Sequence, residues 1–493
     1  MAVPPPVPRW LIWAALPCLL WYAFFLGRHF APVAAGADSS GYMHSGRLLA
    51  AGRLTTPMRT IPELAVSRAL HTTPLGFLSH ESPDRLEPTY PVGLPLHLAA
   101  AYLVFGPERG TLFVVVGSAV AGLVLFFLLA RELGVSDLLA AAGAVALGFF
   151  PIYLFTSFLP LSDTVATAWS ITAYLAALRT RRAWGWSVLC GVACGCAVLV
   201  RPSCLIGFLP LPLILWGGRN FLGAALGGLP FGLWQLFYQR HLYGAALESG
   251  YGPIFSAFQW ECFRPSMANF LTWLPRLLPV SWLAFLLAPW LPWRERGREL
   301  AALYLWFLAL LFFYAYYDIS QQAWWYLRFL LPGIPALVVL ALVGLDRLIT
   351  RRAGRWAWAF TLVAAGAVAW DPRTVFRRWE PEIHVMLLKP YQQLYLDVPA
   401  WTRAHCPPGS AIACLTLSGS IYYYTDFAVL RWDQFEAPQF ARYAAALRAS
   451  GRPLFAALLR DEVPGALHER MPGHWEKITE IDICTLWRYI PAP

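Results

Sequence analysis

Carboxylates are scarce in this chain, which makes their positions informative. Only 28 of its 493 residues are acidic. One of them, Asp38, stands in Ala37-Asp38-Ser39-Ser40-Gly41-Tyr42, just past the first long apolar segment, Trp10 to Gly27. A carboxylate held where an apolar segment meets water can take the proton of a hydroxyl as that hydroxyl attacks an electrophilic carbon. At that depth it can receive a lipid-carried substrate from one side and an acceptor from the other, the geometry of a membrane-embedded group transfer.

A second acid, Asp163, follows Pro160-Leu161-Ser162 at the start of another apolar segment, where an aspartate is expensive unless paired or functional. It also suits an N-cap for a helix beginning near Thr164, and the two roles are compatible. Asp38 and Asp163 could together hold a divalent cation through hard oxygen ligands, although two carboxylates are not a cage. No other cofactor is indicated. Arg328, flanked by Trp324, Trp325 and Tyr326, and Arg201, in Val200-Arg201-Pro202, stand at the ends of apolar segments. There a guanidinium can bind phosphate oxygens in bidentate fashion or snorkel to lipid headgroups.

The elements that must position these groups are membrane helices. Hydrophobic residues make up 58% of the chain and charged residues 13%, against about a quarter charged in soluble domains. Each of the stretches 10–27, 111–130, 138–158, 164–178, 184–200, 203–217, 220–238, 276–293, 300–317, 329–346 and 355–370 approaches the roughly 17 to 25 apolar residues of a span, about eleven in all. With the amino terminus inside, the inner loops collect Arg131, Arg179, Arg181, Arg182, Arg219, Arg294, Arg296, Arg298, Arg347, Arg351, Arg352 and Arg355, as the positive-inside rule requires. The net charge of +10 is thus an orientation signal, and nucleic-acid binding is excluded. A polytopic all-α membrane protein is expected.

An odd number of spans places residues 371–493 outside. Their mixed pattern, with a strand at 411–415 and a helix at 439–449, predicts a small α/β domain. Residues 1–370 form the membrane module, whose first outer loop, 28–109, is large. Within it, 93–105 is apolar but too short to span and is expected to lie in the interface. Tyr90, Pro91 and Gly93 read as shapers of that loop, proline fixing the backbone and glycine permitting a turn, while Arg85 and Glu87 read as solvated charges. His29, His44, His71, His80 and His97 are five of the ten histidines, but without HExxH-type spacing, so zinc is not indicated. Tyr422, Tyr423 and Tyr424, near Arg431, Trp432 and Asp433, could stack on a sugar; as aromatics at strand spacing they read as core. Arg9, the apolar run and Ala35-Gly36-Ala37 resemble a signal peptide. The run is long and lies about ten residues from that cleavage-like site, so retention is expected.

Taken together, several motifs resemble a known superfamily. They are Asp38 with Tyr42, Tyr90-Pro91-Val92-Gly93-Leu94-Pro95, Leu161-Ser162-Asp163, Val200-Arg201-Pro202 and Tyr326-Leu327-Arg328-Phe329-Leu330-Leu331-Pro332. In this order the chain up to about residue 350 resembles the GT-C glycosyltransferases, in particular the bacterial branch related to protein O-mannosyltransferases and to aminoarabinose and lipopolysaccharide-core sugar transferases. The resemblance implies transfer of a sugar from a polyprenyl-phosphate carrier to an envelope acceptor on the outer, periplasmic face of a bacterial inner membrane, with inversion. It implies that Asp38 is the acceptor-activating base. Such enzymes often carry a second acid beside the first; here Ser39 follows instead. Two other classes fit the composition, a secondary transporter and a non-catalytic envelope scaffold. Transporters concentrate distinctive polar groups near the midplane, whereas here they fall at the ends of segments.

Overall fold

The computed structural model describes residues 9–59, 61, 69–79, 85–215, 217–252 and 257–491; His80 lies outside them. The chain is largely helical, with a small sheet domain toward its end. It divides into two compact units, one of residues 1–30, 112–239 and 253–386, the other of residues 31–111, 240–252 and 387–493. This division follows contacts, whereas the boundary expected at 370/371 follows hydropathy.

In the first unit, apolar sequence and proline together set the helix lengths. Pro107–Glu132, Gly218–Tyr243 and Trp293–Ala315 are long and apolar enough to cross a bilayer. Asp137–Gly148 with Pro151–Phe158, bent by 59°, and Trp324–Leu330 with Ile334–Arg352, bent by 80°, reach that length only as pairs. Among the described residues this makes three such helices, or five when each bent pair is one span. The segments near 203–217 and 276–293 are broken into short turns, Cys204–Phe208 and Leu211–Leu213 in one, Pro279–Trp282, Leu283–Leu286 and Ala288–Trp290 in the other. Pro210, Pro279 and Pro289 stand at these breaks, where a ring without an N–H cannot continue a helix.

Charge in this unit is segregated. The helix Asp163–Arg179 starts at an ion pair between Asp163 and Arg201. It ends, about 24 Å away at 1.5 Å per residue, where Glu132 accepts from Arg179 at 2.9 Å and Arg182 at 2.5 Å and Glu299 faces Arg181 at 3.5 Å. Arg179, Arg181 and Arg182 therefore gather with their carboxylate partners at one end of the helix.

In the second unit, β1 (Thr56–Pro57), β2 (Phe77–Leu78) and β3 (Arg85–Pro88) form an antiparallel sheet in the order β1-β3-β2. Toward the end of the chain, β4 (Ala411–Ala413), β5 (Ala428–Leu430), β6 (Leu454–Leu459), β7 (His474–Ile481) and β8 (Cys484–Ile490) form a mixed sheet in the order β5-β4-β6-β8-β7. β4 is parallel to β5 and β6, and the β6-β8-β7 ladder is antiparallel. Alternation along each strand sends Ala411, Ala413, Leu454 and Ala456 into one core with helix Ala437–Ala449, and Ile412, Phe455 and Ala457 into another with helix Leu394–His405. The expected strand and helix are thus present. Helix Gly93–Phe105 has the bounds read from the sequence, and its end exposes Leu103 and Val104 by 74% and 72%. The run Tyr422–Tyr424 differs from expectation. It closes a helix, Ser418–Tyr424, in which Tyr422 and Tyr423 are buried, so these tyrosines are core at helical and not strand spacing.

Helices Gly185–Val200 and Gly218–Tyr243 meet through glycine. Gly191 and Gly195 lie four residues apart on one, Gly223 and Gly227 on the other, a spacing that puts each pair on one face. A Cβ at Gly191 would overlap the Ala224 carbonyl, and one at Gly227 the Val188 carbonyl. The obstacles are backbone atoms, so no rotamer change relieves them, as in small-xxx-small packing of membrane helices. Gly191→Val is expected to destabilise the protein by at least about 1–3 kcal/mol. Gly232→Ala, a position with nothing within 4 Å, should not. Thermal unfolding in detergent distinguishes the two, and equal midpoints would show that this glycine contact does not matter.

Candidate active site

Asp38 is the first residue of a helix, Asp38–Ala50, here the site helix. Ala37 supplies no side-chain cap, so the negative carboxylate at this terminus is the group that complements the exposed N–H ends and the helix dipole. The rest of the first turn, Ser39, Ser40 and Gly41, is small and buried. That smallness permits close approach. A Cβ at Gly41 would overlap the Tyr90 ring and come within 3.0 Å of the Gly76 Cα. Gly76, held at φ +91°, would with a Cβ stand 2.6 Å from the Gly41 Cα. Loop backbone therefore lies directly on the site helix.

Tyr90 fills the space that Gly41 leaves. Its ring stands 4.9 Å from that of Tyr42 and 5.9 Å from that of Tyr251, and its hydroxyl hydrogen-bonds the Asp38 side chain. Burial, followed by the Asp38 charge, raises the Tyr90 hydroxyl well above its ordinary value, so the phenol stays protonated and donates. The donor orients the carboxylate without supplying a full positive charge. Tyr90 is fixed in turn by its neighbours: Thr89 N–H donates to the Gly76 carbonyl at 3.1 Å and the Tyr243 hydroxyl to the Pro88 carbonyl at 2.6 Å. Pro91 leads into helix Gly93–Phe105. Gly93 opens that helix without positive φ, which corrects its reading as a turn glycine.

Glu87 corrects a second reading. It is 2% exposed, with Arg85 donating to one carboxylate oxygen at 3.1 Å and no partner for the other among the described residues. Its burial follows from the central place of β3 in its sheet, which a four-residue strand cannot announce in sequence.

On the same helix, His44 lies among the rings of Phe77, Tyr422 and Tyr423 at 5.0, 5.4 and 5.4 Å. The Arg47 guanidinium stands 3.6 Å from the Tyr423 ring and that of Arg59 3.8 Å from the Tyr422 ring, close cation–π contacts. Burial, then the charges of Arg59 and Arg47, pushes the imidazole down to about 3, so His44 is neutral at ordinary pH and is no proton shuttle beside Asp38.

In the first unit, Asp163 is itself the first residue of its helix, with Ser162 before it making no side-chain cap bond. The capping role expected of Asp163 is therefore not the one it plays; it is buried and paired with Arg201. Arg201 also stands 5.2 Å from the Phe329 ring, and Arg328 stands 5.5 Å from that same ring. Tyr326 is 5.4 Å from Phe329 ring to ring, and Tyr314 stacks on Phe329 at 4.9 Å. The two arginines singled out in sequence thus share one aromatic contact. Arg328 lies on the short limb of the pair bent by 80°, a shape that presents a side chain at the end of a span. Among the described residues no three His, Cys, Asp or Glu side chains come together as metal ligands.

No protein-family profile and no curated protein sequence matches the chain. Solved structures do. ArnT from Cupriavidus metallidurans bound to undecaprenyl phosphate superposes with a TM-score of 0.57 at 13% identity, covering 97% of this chain and 98% of that one. Its apo state gives 0.56 at 14%, with the same coverage. The arabinofuranosyltransferase AftD from Mycobacteria gives 0.48 at 13% over 93% of this chain and 40% of that one. At these identities the likeness is one of fold: the chain shares the fold of ArnT over nearly its whole length.

The buried imidazole sets a pH dependence. His44 has a folded value of about 3 against 6.5 unperturbed, so the unfolded chain takes up the proton first. Above pH 6.5 the residue contributes no pH dependence, and stability falls as pH drops from 6.5 toward about 3. Unfolding midpoints across that window should decline less steeply in His44→Gln than in wild type; parallel curves would exclude this origin.

Proposed function

We propose that the chain is a membrane glycosyltransferase. It transfers a sugar from a polyprenyl-phosphate donor to an envelope acceptor (a glycolipid, lipopolysaccharide, polysaccharide or protein hydroxyl) on the outer face of a bacterial inner membrane. The observation that carries the reading is Asp38 at a helix terminus, half-buried and oriented by a protonated phenol. The full-length fold likeness to a protein solved with undecaprenyl phosphate supports a lipid-phosphate donor. In the proposed topology the amino terminus is cytoplasmic, about eleven spans follow, and the terminal sheet domain is periplasmic.

The step is a single displacement. As the acceptor oxygen bonds to the anomeric carbon, its proton passes to the Asp38 carboxylate, and the bond from that carbon to the phosphate oxygen breaks on the opposite face, inverting the centre. The leaving polyprenyl phosphate keeps the electron pair. Arg328 supplies positive charge to it through charge-assisted hydrogen bonds. Arg201 is held by Asp163, so the pair is neutral as a whole and orders the aromatic cluster around Phe329. Tyr90 holds Asp38 in place, and Tyr42 supports Tyr90. No step uses a metal.

Asp38→Asn keeps the volume and removes the base. Transfer of radiolabelled sugar from polyprenyl-phosphate donors in membranes should fall by about 10²–10⁴-fold, with donor binding retained; full activity in that variant would remove Asp38 from the role. Arg328→Ala should weaken binding of a polyprenyl-phosphate analogue by about 10- to 100-fold, the worth of a hydrogen bond to a charged group. Unchanged affinity would leave Arg328 a snorkelling side chain.

A further inference from the structure

We infer that the helix Ser418–Tyr424 of the terminal sheet domain is a positioning element for Asp38, so that this domain belongs to the machinery of transfer. The inference rests on the transferase reading and deepens it.

The helix touches the site helix and its approaches at several independent points, all within the second unit. Gly419 lies against Ser40 so closely that a Cβ there would overlap the Ser40 Oγ, with the Ser40 Cβ at 2.8 Å and the Gly36 carbonyl at 2.9 Å. Ser40 has little room to yield, because its hydroxyl donates to the Gly36 carbonyl. The Tyr424 hydroxyl accepts the Ala34 N–H at 3.1 Å, fixing the chain just before the site helix. Ser418 Oγ accepts the Leu75 N–H at 3.1 Å, next to Gly76, the residue pressed on Gly41. Tyr423 carries Arg47 on its ring. One seven-residue helix thus fixes the segment before Asp38, the turn that holds it and the loop packed on that turn.

Ser40 is two residues from Asp38 on one helical turn, so displacement of Ser40 is displacement of the base. A misplacement of about 1 Å in a reacting group lowers rate by about 100-fold. Gly419 and Tyr424 touch no reacting atom in this scheme; they act through the backbone that carries Asp38.

The test uses the full-length protein in detergent, with Gly419→Ala alone and combined with Ser40→Gly, which removes the two Ser40 atoms that the new methyl meets and frees the Gly36 carbonyl of its bond to the Ser40 hydroxyl. Gly419→Ala should lower kcat for transfer by about 10- to 100-fold without changing KM for the donor, and the second substitution should recover rate. A purely structural loss would not be rescued by placing a glycine in a helix, where glycine itself is unfavourable. In parallel, the alkylation rate of Asp38→Cys, read by mass spectrometry of the peptide that carries it, reports position without activity. It should change with Gly419→Ala and return with Ser40→Gly. Wild-type kcat and an unchanged alkylation rate in Gly419→Ala would overturn the inference. Alkylation that responds in this way, in a protein whose wild type transfers no sugar, would instead sink the transferase reading and leave the positioning intact. Should Gly419→Ala fail to fold, Tyr424→Phe, which deletes only the hydroxyl on the Ala34 N–H, carries the same comparison.

Discussion

The second unit depends on a contact with no side chains in it. Gly41 and Gly76 bring helix and loop backbone together at a separation that any Cβ would forbid. Everything chemical at Asp38 follows from that approach. The loop that runs past Gly76 continues through β3 to Tyr90, and only because Gly41 presents a bare surface can the Tyr90 ring lie across the first turn with its hydroxyl on the carboxylate. A larger residue at either position would push the phenol off the acid and admit water. The orientation of the carboxylate is therefore set by the absence of atoms at two positions as much as by the phenol itself.

The chain holds its two singled-out aspartates in opposite ways. Asp163 is buried and bound to a guanidinium. Asp38 is half-buried and accepts from the Tyr90 phenol, a neutral donor that fixes its direction. The first arrangement is that of a strut, tying the start of helix Asp163–Arg179 to the end of helix Gly185–Val200. The second is that of a carboxylate directed by a phenol at a helix terminus. The same residue type thus acquires two roles from its partners.

Much of this was legible in sequence where a single segment carries the signal. The scarcity of acids picked out Asp38, hydropathy gave Gly93–Phe105 its bounds, and the order of short motifs implied the fold. What escaped were features that depend on distant partners. Glu87 looks solvated because its burial is conferred by strands on both sides of β3. Tyr422–Tyr424 looks like strand because three consecutive tyrosines have no period to read. Asp163 reads equally as a cap and as a paired or functional acid, because its partner, Arg201, lies 38 residues away, beyond another helix. The only local hint of the packed site was Gly41, one turn after Asp38 on the face that Tyr90 covers; a glycine at that spacing from an acid, in a helix otherwise free to use alanine, marks a surface that something must approach.

The site helix is also too weak to stand alone. It has 13 residues, among them two glycines and three serines, a composition with poor intrinsic helicity, and isolated helices shorter than about 12–15 residues are marginal even when rich in alanine. Its stability must come from packing, chiefly on helix Gly93–Phe105 and in part on the chain's end; just before it, the bond from Ala34 to Tyr424 spans 390 residues. Contacts of such separation carry a closure entropy that local contacts do not, which slows the folding of chains rich in them. The site helix therefore owes part of its support to the terminal domain, and a change at the chain's end can reach the Asp38 carboxylate through the contacts of helix Ser418–Tyr424.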